Sequence, residues 1–116
     1  MRLRTERWAG VALLVAIAAC GAGEPPGRVL TVGRNPPPEI VDACDLASRR
    51  CSRCHPLERL LLAHVSAPGS WVMYVDRMRH QPESGITEPE GRTIVRCLVF
   101  HSFGPEGLSS LGEGSP

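Results

Sequence analysis

The segment Cys51-Ser52-Arg53-Cys54-His55 constrains this chain more than any other feature: two thiols three residues apart, with an imidazole directly behind the second. Thiols at that spacing serve a redox dithiol or disulfide, one half of a zinc site, or the covalent attachment of haem. A thioredoxin-type dithiol needs alternating strands and helices around it, and no strand pattern is readable here. Structural zinc wants four ligands, usually a second pair at matching spacing. Cys44, Cys97, His64, His80 and His101 are scattered at no such spacing. Attachment of the c type needs only the pentad. One helical turn brings both sulfurs to the porphyrin edge, where they add to its vinyl groups, and the next side chain is aimed at the iron. The spacing therefore predicts one covalent haem c, bound through Cys51 and Cys54 with His55 as proximal ligand.

That chemistry requires export, and the chain opens on a matching signal. "MRLRTERWAGVALLVAIAAC" has a basic head, an apolar run and small residues before Cys20. The run is too short to span a bilayer comfortably as a permanent helix. Ile17-Ala18-Ala19-Cys20 resembles the bacterial lipobox, which implies lipidation of Cys20 and a membrane-tethered, periplasmic or cell-surface protein; the alternative is a plain signal peptide. Residues 21–38, rich in Gly and Pro, read as a partly stiff tether, and residues 104–116, of the same composition, as a flexible tail. Residues 39–103 remain as the folded domain. A unit so small, in a chain with only 4% aromatic residues, is expected to lean on a cofactor or other staple. The net charge is +1, there is no lysine, and beyond residue 20 ten arginines face eleven carboxylates, which is no footprint for nucleic acid.

Within the domain the apolar spacing predicts three or four short helices and no strand. Ile40/Val41, Cys44, Ala47 and Cys51 fall on one helical stripe entered just after Pro36-Pro37-Pro38 and ending at the thiols. Leu57–Val65 suits a helical turn or two. Ser70 is the expected N-cap of a helix in which Trp71, Tyr74, Val75 and Met78 share a face, with Pro82 ending it. Thr87 and Glu90 stand at capping-box spacing before a last helix, which Gly104-Pro105 is expected to stop.

From Cys51 to Leu98 the sequence resembles the small class I c-type cytochromes. The likeness is carried by the pentad and by Trp71, Val75, Arg77-Met78, Ile86, Glu90, Ile94 and Leu98. It covers most of the domain. The resemblance implies an all-α cytochrome c-like fold around the covalent haem, with the first and last helices crossing and Ala43 and Ala47 meeting Leu98 and its neighbours. It implies single-electron transfer with redox protein partners, a dehydrogenase or an oxidase or reductase, and no enzymatic conversion. Met78 stands where such modules supply the distal thioether. Met73, on another helical face, is the weaker choice, and His64, His80 or His101 would give a bis-imidazole iron of lower potential. Trp71 is expected to pack on the porphyrin or in the scant core, with its N–H seeking a partner such as a propionate. Arg77, Arg79 and Arg92 are further candidates for propionate contacts. The outer nitrogen of His55 needs an acceptor, for which the carbonyls of Pro56 and Pro68 both qualify. The Gly-Pro pair of larger family members is absent, "APG" being the nearest substitute. Since the terminal helices of that fold touch, Cys44 and Cys97 are placed either to form a disulfide or to remain as buried thiols. Two rival readings stay open: a five-coordinate haem acting as gas sensor or peroxidase, and a zinc-stabilised interaction module.

Overall fold

The computed structural model describes Leu30 and residues 35–112. Cys20 with the rest of the expected signal segment lies outside the described residues, as does nearly all of the expected tether. The described residues form an all-α unit of four helices with no strand: α1 (Pro38–Cys51), α2 (Glu58–Leu61), α3 (Pro68–Arg79) and α4 (Glu88–Gly112). None of these helices is long and apolar enough to cross a membrane.

Each boundary has a local cause. α1 begins on Pro38, where a missing amide proton costs nothing because first-turn amides have no helical acceptor, and closes with the Ser52 N–H on the Ser48 carbonyl. α3 begins earlier than the capping pattern predicts. Pro68 occupies its first turn and Ala67 is the N-cap, so Ser70 lies inside the helix, and the helix ends at Arg79, ahead of Pro82. The preset φ of proline starts a helix as well as a hydroxyl cap does. At α4 the capping box forms as expected. The Thr87 N–H donates to Glu90 Oε2 at 2.9 Å, and the Glu90 N–H donates to Thr87 Oγ1 at 3.3 Å.

The far end departs from expectation. Gly104 does break the helix, with φ 71° and ψ −163°, a backbone state that only glycine adopts without strain. The chain then resumes helical geometry at Pro105 and continues to Gly112, where a flexible tail was expected. The reason is apolar: Leu108 and Leu111 pack against the core, an incentive that the surrounding Gly, Ser and Pro residues mask in the composition. The lower boundary is also wider than position 39, because Leu30 is fully buried and its carbonyl accepts a hydrogen bond from His101 Nδ1 at 2.8 Å.

α4 is the centre of the assembly and packs against both α1 and α3. The core contains Ile40, Ala43 and Ala47 from α1, Trp71 and Val75 from α3, and Ile94, Leu98, Val99 and Phe100 from α4. The helix pair α1–α4 is also joined covalently: Cys44 and Cys97 form a disulfide with Cα atoms 5.0 Å apart and a sequence separation of 53. Both sulfurs are fully buried.

Candidate functional site

Where α1 ends, the backbone leaves the helix through the pentad itself, and the second thiol follows one tight turn later, with the Cys54 N–H on the Cys51 carbonyl at 3.5 Å. This turn forms one wall of a cavity of about 440 Å³. Cys51, Cys54 and His55 line it from the pentad, and Met78 lines it from the last turn of α3. The rest of the wall is largely apolar, made by Leu60, Tyr74, Val75, Ile86, Ile94 and Leu98. Four helices thus contribute to one space. It is closed on another side by the loop after α3, where Ser84 Oγ donates to the Arg79 carbonyl at 2.8 Å and accepts from the Ile86 N–H at 3.3 Å.

His55 is oriented by its neighbour. Its Nδ1 lies 3.1 Å from the Pro56 carbonyl, an arrangement that puts the proton on Nδ1 and leaves Nε2 as a lone-pair donor. Of the two carbonyls named from sequence, Pro56 is therefore the acceptor. Cys51 is half-buried, and burial, reinforced by the adjacent Cys54, pushes its thiol up to about 11. A redox-active dithiol has its attacking thiol lowered, so the shift at Cys51 runs against that chemistry and favours a neutral Cys51 sulfur. Cys54 is exposed.

The other sequence candidates distribute as follows. Met73 is 69% exposed and outside the cavity, whereas Met78 is half-buried and on its wall. None of the remaining histidines lines the cavity. His64 is exposed, His80 Nδ1 donates to the Asp76 carbonyl at 2.8 Å, and His101 is held by Leu30. Trp71 is also not on the wall. It is fully buried between α3 and α4, its indole N–H donates to Ser102 Oγ at 2.9 Å, and its ring meets Tyr74 edge-on at 5.3 Å. The place on the wall belongs to Tyr74, three residues along the same helix.

The arginines are also redistributed. Arg77, Arg79 and Arg92 do not line the cavity, but Arg50 and Arg59 do. Arg50 is held by an ion pair with Glu90: its Nε donates to Oε1 at 3.1 Å, and Nη2 contacts the same oxygen. Glu90 therefore caps α4 and positions a cavity arginine at once. Its carboxyl is held below the ordinary carboxylate range, first by the Thr87 backbone N–H and then by Arg50. Arg59 follows His55 by one helical turn, a spacing that sequence could have signalled. The Arg50–Glu90 pairing spans 40 residues and has no local signature. Among the described residues no group of three or more His, Cys, Asp or Glu side chains is arranged to hold a metal ion by themselves.

Comparison with known proteins returns no matching family, no similar curated protein and no similar solved structure.

Proposed function

We propose that this protein is a monohaem c-type cytochrome that carries single electrons between protein partners. The observation that supports it is the convergence of Cys51, Cys54, His55 and Met78, drawn from two separate stretches of sequence, on one mostly apolar cavity. The donor set fits a porphyrin iron: Cys51 and Cys54 would hold it through thioether bonds, and the His55 imidazole, with Nε2 free, and the soft Met78 thioether would be available as its ligands. When bound, haem supplies a one-electron ferric/ferrous couple.

The chain's own residues supply the setting. Cys51 and Cys54 anchor the group, and the Pro56 carbonyl fixes the tautomer and orientation of His55. Ile94, Leu98 and Leu60 keep water from the interior, lowering the local dielectric so that nearby charge weighs on the couple. Arg50 and Arg59 line the same cavity, and their positive charge would raise the potential of a haem held there by favouring the added electron. In this reading the protein is exported and tethered through a lipid on Cys20, and its side chains transform no substrate. A five-coordinate sensor or peroxidase needs an open distal position, and Met78 on the cavity wall favours electron transfer instead. The zinc reading lacks a ligand cluster among the described residues.

Expression with haem-attachment machinery tests the proposal. The expected product is pigmented, keeps its colour through denaturation and acid-acetone extraction, and loses it when Cys51 and Cys54 are both replaced by alanine. Met78→Ala is expected to shift the ferric spectrum and lower the potential. A colourless product, or pigment that extracts, ends the proposal; an unchanged Met78→Ala spectrum replaces it with the five-coordinate reading.

A further inference from the structure

The mouth of the thiol cavity carries charge of one sign. Two arginines line the cavity and, among the described residues, no carboxylate does. Arg50 is matched by Glu90, whereas Arg59 is exposed and makes no ion pair among the described residues. Arg53 adds a second unmatched cation at a defined place. A Cβ at Gly85 would stand 3.3 Å from its Nη1, so the exposed guanidinium lies against the loop whose Ser84 and Ile86 line the same cavity. The surroundings do not cancel these charges: from Ser52 to Val65 the only carboxylate is Glu58, and Glu83 in the facing loop is not on the lining.

The first half of α1 has the opposite sign. Glu39, Asp42 and Asp45 stand there without an arginine, up to about 20 Å from the thiols along the helix. Charge separated in this way orients a molecule as it approaches a charged partner. The positive end also bears exposed apolar surface: Leu62, 74% exposed, stands one turn from Arg59 on the same side of α2. Arginine is enriched in protein interfaces, and its planar fork grips carboxylates in pairs. A bilayer is the poorer fit, because anionic lipid is recognised by clusters of about four or more cations.

We infer that Arg53, Arg59 and Leu62 form a docking surface at the cavity mouth for a partner protein that presents carboxylates around an aliphatic side chain. That this partner exchanges electrons rests on the reading above; the surface itself is tested on the protein as isolated, with or without pigment, so either can fail without the other. The probe is acetyl-Asp-Glu-Leu-Glu-Asp-amide, titrated into isotope-labelled protein at low salt and followed by NMR. Saturable shifts confined to residues 52–65 and 81–86, weakening as salt is added, are expected. Replacing Arg53 and Arg59 together by glutamine should weaken binding roughly tenfold. Leu62→Gln should weaken it less. Arg77→Gln with Arg96→Gln removes the same charge from exposed sites elsewhere and should leave affinity unchanged. No saturable binding of the acidic peptide, whether or not phosphatidylserine vesicles bind instead, overturns the inference. So do shifts centred outside the two segments, equal binding of the counterpart with lysine in place of each acidic residue, or an equal loss in the Arg77 and Arg96 control.

Discussion

The face where α1 and α3 pack on α4 and the segment running from Ser52 to Val65 are built on different principles. The first face is closed. It contains nearly all of the fully buried side chains, a disulfide, an indole with its hydrogen bond satisfied and a helix cap tied to a cross-chain ion pair. The second face is a single four-residue helix between turns, with Leu60 as its one fully buried residue and Leu62 left 74% exposed. A helix of that length has no stability of its own. The contrast is between a scaffold that completes its core on one side and a side, bearing the thiols and His55, that lines the cavity of about 440 Å³.

The largest effect is expected from Trp71→Ala, which removes a fully buried ring and leaves Ser102 without its donor. About 3 to 5 kcal/mol of stability should be lost in denaturant titration. A loss below about 1 kcal/mol would show that the closed face is not the stabilising one. Next is the disulfide. Replacing Cys44 and Cys97 together by alanine should cost about 2 to 4 kcal/mol, because the unfolded chain regains the freedom of a 53-residue separation. The helical circular dichroism should persist at low temperature, and its loss would instead mean that the crossing depends on the bridge for its formation.

Smaller again is Thr87→Ala, expected to cost about 1 kcal/mol by leaving the Glu90 amide at the start of α4 unpaired. Glu90→Gln adds a pH signature to the same cap. Because the folded state holds the Glu90 carboxyl below its unfolded value, its contribution is complete above the unfolded pKa and disappears as pH falls through the folded one. The stability gap between wild type and Glu90→Gln should therefore close on acidification, and a gap independent of pH would remove the ionised cap from the account. The smallest change is Leu62→Gln on the open face, expected to stay within about 0.5 kcal/mol. Hydrogen exchange sharpens the comparison further: amides of α2 should exchange well before those of α1 and α4, and attachment of a cofactor should protect α2 selectively.

Much of this was legible in residue order because its causes are local. Helical spacing, the Pro38 start, the Thr87–Glu90 box and the break at Gly104 each act within one or two turns. The misplaced features have distant causes. Ser70 lost the capping position to Ala67 because Pro68 starts the helix two residues earlier, a local cause, but the helix after Pro105 exists only because Leu108 and Leu111 find a core assembled elsewhere. Trp71 and Tyr74 lie on the same side of α3, and which of them reaches the thiol cavity depends on how α3 is rotated against α4.

Read alone, the order of residues fixes the helical character of the domain and the close placement of Cys51, Cys54 and His55, since both follow from spacing along one backbone. Three-dimensional packing brings Met78 to the same cavity as His55, joins Cys44 to Cys97, ties Arg50 to Glu90 and turns Trp71 away toward Ser102. These are contacts between residues far apart in the chain, and they depend on the relative rotation and crossing of whole helices, which only the burial of their combined surfaces can select.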